Sequence, residues 1–259
     1  LKFLFVLSVL GGLAGGVSIG AVLWHFSQDL PSTEGLRDLQ LQVPLRIYSS
    51  DNELLGEYGA ERREPLRYEE IPPILVQAFL AAEDDRFFQH PGVDYQGLLR
   101  AVWVVILTGE KAQGGSTITM QLARNFFLSS EKSYIRKIKE ILLALQMEKK
   151  LTKQEILTFY LNKIYLGHRS YGIAAAADVY YGKKLAELTL AQPAMIAGLP
   201  KAPSAFNPIT NPERATVRRN YVLHRLYDLN YISQDQLEKA LAEPITANLR
   251  AASNELEAS

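Results

Sequence analysis

The residues with the clearest chemical potential are carboxylates that follow an apolar helical stretch. The segment from Ala82 to Asp94 ends such a stretch with Glu83, Asp84 and Asp85 and then turns at Pro91-Gly92. A carboxylate emerging from an apolar helix is partly desolvated, which raises its pKa and suits general acid or base work. Three acids at a helix C-terminus also oppose the macrodipole, an unfavourable choice for a plain solvated helix end. A second segment, Gln113 to Asn125, opens a helix with Gly114, Gly115, Ser116 and Thr117, and its next turns present Gln121 and Arg124. Free backbone N–H groups at a helix start can cradle an anion, although no Gly-Lys-Ser/Thr follows as in a nucleotide-binding loop. The third is Glu140, with Arg136 and Lys137 one turn before it. Cations so placed keep a carboxylate ionised and suit a pyrophosphate. Each feature alone has a plain structural explanation. Together, two carboxylates 57 residues apart, an anion cradle and a basic helix face describe a site for moving a sugar from a phosphate leaving group.

Apolar periodicity shows which elements must position these groups. From Pro72-Pro73 onward the pattern is helical, with stretches at 74–82, 94–107, 116–128, 133–151, 153–166, 171–180, 190–199, 213–229 and 234–242. Thr152/Glu155, Thr189/Gln192 and Ser233/Gln236 carry capping-box spacing. In the 133–151 helix, Tyr134, Ile138, Ile141, Leu142 and Leu145 make one apolar stripe, with Glu140 roughly opposite on the face expected to meet solvent. Leu45 to Tyr58 alternates around Ser50-Asp51-Asn52 as a short hairpin. Phe3 to Trp24 is a run of 22 residues without a charge, enough to cross a hydrocarbon core of roughly 30 Å. We read residues 1–26 as a single transmembrane anchor, with Lys2 inside and the rest of the chain outside the cytoplasmic membrane. Residues 27–70 are a tether and hairpin, 71–243 one helical domain, and 244–259 a linker-like tail.

Composition narrows the classes further. The chain has 259 residues, 47% of them hydrophobic, with 28 basic and 28 acidic side chains. A formal net charge of zero argues against a nucleic-acid partner bound by bulk charge. With no cysteine there is neither a disulfide nor a thiolate site, and the four histidines have no zinc-binding spacing.

Four ordered motifs carry a family resemblance. They are Glu-Asp-x-x-Phe-x-x-His-x-Gly at 83–92, Gly-Gly-Ser-Thr-Ile-Thr-x-Gln at 114–121, Arg-Lys-x-x-Glu at 136–140 and Ile-Leu-x-x-Tyr-Leu-Asn-x-x-Tyr-x-Gly at 156–167. The sequence over 45–243 resembles the family 51 type peptidoglycan glycosyltransferases, the N-terminal domains of class A penicillin-binding proteins and their monofunctional relatives. The resemblance implies a mainly α, lysozyme-like fold with a larger lobe, a smaller membrane-proximal lobe and a cleft between them. It implies polymerisation of lipid II, with inversion, into β-1,4 glycan strands and release of undecaprenyl pyrophosphate. By the same resemblance, Glu83 is the general base and Glu140 the second glutamate near the donor pyrophosphate. Asp84, Phe87, His90, Ser116, Thr117, Gln121, Arg124, Arg136 and Lys137 match positions that line the cleft. Lipid II, the growing strand, a C-terminal transpeptidase domain and other cell-wall synthesis proteins are the implied partners. The family leaves room for a divalent cation, Mg or Mn, at the pyrophosphate, but no DxD-type signature here demands one. Met120, Thr158 and Gln192 depart from the common pattern, and Asn162, Tyr165 and Gly167 fit scaffold roles. Two other classes share parts of this pattern: a lysozyme-like hydrolase with the same paired carboxylates, and a membrane-anchored scaffold with a degenerate site.

Overall fold

The structure, a computed structural model, describes residues 20–21, 24–28, 30–31, 45–51, 54–58, 64–109, 115–127 and 133–248. The expected anchor and tether lie mostly outside the described residues, as do Gly114 and the end of the tail. Among the described residues no helix is long and apolar enough to cross a membrane. The hairpin forms: β1 (Leu45–Tyr48) pairs antiparallel with β2 (Leu54–Tyr58), Leu45 opposite Tyr58, with a bulge at Ile47/Tyr48.

Helices make up most of the other described residues. α1 is Pro73–Glu83, α2 Tyr95–Thr108, α3 Ile118–Phe127, α4 Tyr134–Lys150 and α5 Lys153–Lys163. α6 is Ile173–Tyr181, α7 Ala191–Gly198, α8 Pro212–Asp228 and α9 Gln234–Ala242. The starts follow local chemistry. Pro73 opens α1 where a missing N–H costs nothing, and Thr152/Glu155 and Ser233/Gln236 close reciprocal capping boxes on α5 and α9. At Thr189 only half of the expected box forms. Gln192 Oε1 accepts from the Thr189 N–H at 3.1 Å, while the Thr189 hydroxyl donates to Glu243 and Gln192 Nε2 to Thr246, so Gln192 is structural.

α5 stops at Lys163, three residues before its apolar period runs out. The chain folds back so that Gly172 N–H donates to Ile164 O. Gly172 has φ +87°, and a Cβ there would stand 2.8 Å from Asn162 O, so only glycine closes this turn. The Asn162 amide exchanges two hydrogen bonds with the Leu66 backbone, at 2.9 and 2.8 Å, which ties α5 to the segment before α1 and bears out a scaffold role.

α1 sits centrally, packed on α7 and α8, while α3 packs on α4 and α5. The main core contains Phe79, Phe87, Leu122, Leu143, Met147, Tyr160, Ile196 and Leu223. A second, smaller cluster joins Val93, Met120 and Ala144 to Leu98, Ile141 and Leu145.

One expectation is corrected in α4. Its buried residues are Glu140, Leu143, Ala144 and Met147, on the face opposite the apolar stripe, and Tyr134 at the start of that stripe is 93% exposed. Glu140 therefore does not face solvent. Arg136 and Lys137 neutralise it, which makes its burial tolerable, and the stripe is left to the smaller cluster and the surface.

Candidate active site

The three acids at the end of α1 are each taken by donors from other elements, which resolves their conflict with the helix dipole. Glu83 Oε2 accepts from Gln121 Nε2 of α3 at 3.0 Å, and Oε1 from Arg218 Nη2 of α8 at 3.2 Å. Asp84 accepts from His90 Nε2 at 2.9 Å and from the Ile118 N–H at 2.9 Å, where its charge meets the positive end of α3. Asp85 pairs with Arg225 of α8 at 2.7 Å. The Gly92 N–H donates to His90 Nδ1 at 3.2 Å, so the proton of the neutral ring sits on Nε2 and points at Asp84.

The glutamate side chain at 83 is 12% exposed. Burial pushes its pKa upward; the Gln121 hydrogen bond and the charges of Arg218, Lys201 and Arg124 pull the other way without cancelling it. Two adjoining pockets share Ala82, Glu83, Gly115, Ser116 and Tyr221. One, with about 750 Å³ of open space, is walled by Gln121, Arg124, Pro200, Lys201 and Arg218. The other, about 580 Å³, has Asp84, Asp85, Asp94, Leu98, Thr117 and Arg225 on its walls. The carboxylate thus stands where a cation-lined pocket meets an acid-lined one.

The remaining predicted residues divide into wall and frame. Ser116, Gln121 and Arg124 line the cleft. Phe87 and His90 do not reach it: Phe87 is fully buried in the core beneath Lys153, and His90 holds Asp84. Thr117 touches the second pocket, yet its hydroxyl is spent on Gly92 O at 2.5 Å, fastening the turn to α3. Glu140 lies behind the wall. It is bracketed by Arg136 Nε at 3.2 Å and Lys137 Nζ at 3.1 Å, and Lys137 reaches the cleft through a 2.6 Å hydrogen bond to Ser116 Oγ.

Arg218 and Lys201 are absent from the sequence-based candidates. Arg218 had a readable signal: with Arg219 it interrupts the apolar stripe Ala215, Val222 and Leu226 of α8, and both arginines are buried. Arg219 donates to the carbonyls of Glu243 and Leu241 and is structural, whereas Arg218 reaches Glu83 and Gly198 O. Among the described residues no three of His, Cys, Asp and Glu converge as a cation site, and each acid at the end of α1 already has N–H donors. Among the described residues, the acids at the end of α1 have oxygens engaged by these donors and do not by themselves build a divalent-cation site.

Asp84→Ala is expected to lower stability by about 3 kcal/mol, because it strands the buried His90 and Ile118 donors. Denaturant unfolding checks this, and a change below about 1 kcal/mol would contradict the clamp.

Comparison with known sequences decides the family. The family profile described as Transglycosylase matches residues 51–227. The chain belongs to the transglycosylase family. This transglycosylase is 52% identical to penicillin-binding protein 1A of Pseudomonas aeruginosa over 93% of the chain, and 51% identical to penicillin-binding protein 1A of Escherichia coli over 96%. It spans 29% of the length of each. Its fold is similar to the crystal structure of penicillin-binding protein 1A from Haemophilus influenzae, with a TM-score of 0.50 and 36% identity over 83% of this chain and 22% of that one. The matched region holds Glu83, the helix start at Ser116, Glu140 and Arg218.

Proposed function

We propose that this transglycosylase is a membrane-anchored peptidoglycan glycosyltransferase that polymerises lipid II into β-1,4 glycan strands and releases undecaprenyl pyrophosphate with inversion. The observation that carries the reading is Glu83, a desolvated carboxylate at the meeting point of a cation-lined pocket and an acid-lined one. Glu83 takes the proton of the acceptor sugar's 4-hydroxyl. As that oxygen bonds to the donor's anomeric carbon, the bond from carbon to the pyrophosphate oxygen breaks and the electron pair leaves with the phosphate. Attack on the face opposite the leaving group gives inversion.

The leaving charge develops toward Arg124, Lys201 and Arg218. Arg136 and Lys137, held by Glu140, add positive potential behind Ser116. Glu140 in this reading is a holder of cations more than a contact to the pyrophosphate. In a lysozyme-like two-lobed fold of this kind, the smaller cluster beside α2 would belong to the smaller, membrane-proximal lobe. The transpeptidase domain and further cell-wall partners would belong to the whole protein, of which this chain is the glycosyltransferase part.

Membrane contact has support beyond the expected anchor. One face of α2 presents Tyr95, Leu99, Trp103, Ile106 and Leu107, all more than half exposed. An apolar helix face of this size suits the boundary between headgroups and acyl chains, where the lipid-linked substrate lies. Leu99→Gln with Trp103→Gln is expected to lower turnover of vesicle-embedded lipid II about tenfold, the equivalent of ~1.4 kcal/mol, and to spare detergent-dispersed lipid II. Equal losses in both media would contradict the membrane role.

The function is tested with the detergent-solubilised chain and labelled lipid II. A ladder of glycan strands, with one lipid pyrophosphate released per bond formed, is the expected outcome. Cleavage of preformed strands without lipid release would assign a lysozyme-like hydrolase instead.

A further inference from the structure

The pairing of Gln121 with Glu83 has a third member. Gln121 Nε2 lies 3.0 Å from Glu83 Oε2, and at the other end of the amide Oε1 accepts from the Tyr160 hydroxyl at 3.2 Å. An ionised carboxylate only accepts, so a primary amide facing it must present Nε2, which turns Oε1 away. The phenol meets that oxygen from α5, the opposite side. Tyr160 is fully buried, and its ring stands edge-on to Phe79 with centroids 6.1 Å apart. Phe79 lies one turn before Glu83 on the same face of α1, so the helix that carries the carboxylate also fixes the phenol. We infer that Tyr160 is a positioning residue for glycosyl transfer: its hydroxyl locks the Gln121 amide in the one orientation that donates to Glu83. This deepens the reading of Glu83 as the base and rests on it.

The surroundings give the lock a measurable consequence. Glu83 faces Gln121 and Arg124 from α3, Arg218 from α8, Lys201 from the turn after α7 and Tyr160 from α5; its neighbours Asp84 and Asp85 are tied to His90 and Ile118 and to Arg225. Burial raises the proton affinity of Glu83, and the Gln121 donor is the largest influence opposing it. Burial, with the charge of Glu83 adding to it, also drives the Tyr160 phenol well above its usual value, so it keeps its proton wherever the base titrates. Without the hydroxyl nothing holds Oε1, and when Glu83 is protonated the amide can turn so that Oε1 accepts the acid's O–H. That hydrogen bond stabilises the protonated form, and the base holds its proton to higher pH.

The test is the pH dependence of kcat/KM for lipid II polymerisation by the full chain in detergent. In Tyr160→Phe the acid limb is expected to move up by about one pH unit, with the loss at neutral pH recovered at higher pH and KM unchanged. Gln121→Leu should move the limb in the same direction, and adding Tyr160→Phe to it should move it no further. Site-specific 3-fluorotyrosine at position 160, a stronger donor of nearly the same shape, should move the limb down, which keeps the inference testable if the phenylalanine variant folds poorly. A parental limb in Tyr160→Phe, or a further shift on top of Gln121→Leu, would overturn the positioning role. Glu83→Gln in the same series separates the two claims. If it turns over normally, the base assignment falls; if it is inert while Tyr160→Phe keeps the parental limb, only the role of Tyr160 falls.

Discussion

Glu83→Gln is expected to reduce glycan polymerisation by roughly 10²–10⁴-fold, the range for loss of a general base, with lipid II binding retained. The substitution keeps side-chain volume and an acceptor for Arg218, and loses proton acceptance together with the hydrogen bond from Gln121. The variant should also gain thermal stability relative to the parent as pH rises toward neutral. The carboxyl titrates above 4.5 in the fold because of burial, so it binds its proton more tightly folded than unfolded. Its ionisation therefore opposes folding. That penalty is complete above the raised folded pKa, shrinks as pH falls toward 4.5 and is gone below it. The unfolding temperature of the variant minus that of the parent should therefore be larger at pH 7 than below about pH 4. Full turnover by the variant, or lost folding at neutral pH, would remove Glu83 from the role of a desolvated base.

Glu140→Gln is the second large effect. The native carboxylate is 1% exposed and pairs with Arg136 and Lys137 at 3.2 and 3.1 Å. Removing its charge leaves two cations facing a neutral amide. Lys137 is 40% exposed and water recovers part of that cost, whereas Arg136 is 18% exposed and recovers less. The expected loss of stability is about 2 kcal/mol, below the ~3–5 kcal/mol typical when a fully buried pair is broken. Turnover should fall about 10²-fold, since Lys137 loses the partner that aims it at Ser116 and the cleft. Because the effect runs through the cations, Lys137→Met should reproduce much of the kinetic loss and little of the instability. Parental kinetics in Glu140→Gln would contradict the holding role.

Much of this was legible in the sequence, for physical reasons. Helix limits set by local chemistry, such as the capping boxes at Thr152 and Ser233 and the proline that opens α1, agree with the structure within a few residues. Glu83 stood out because an acid run at a helix C-terminus is costly unless other elements supply donors, and Gln121, His90, Ile118, Arg218 and Arg225 supply them. The donor from α8 could not be read, since Arg218 is 135 residues from Glu83 and no periodicity records a contact between helices. The face of α4 misled for a related reason. Apolar period assigns Ile138, Ile141, Leu142 and Leu145 to the core, whereas the deep face is built around an acid neutralised by its own neighbours. Phe87 and His90 sit in a motif that suggests chemistry, but they stabilise the turn that brings Asp84 to α3.

Glu83 accepts the proton as a desolvated, partly compensated carboxylate, and this role is read from the pH dependence of kcat/KM for lipid II polymerisation. Activity of the parent protein should rise through one ionisation whose midpoint lies above 4.5, the ordinary value for glutamate. The residual activity of Glu83→Gln should have no such limb. A parental profile flat through this range, or the same acid limb persisting in Glu83→Gln, would contradict it.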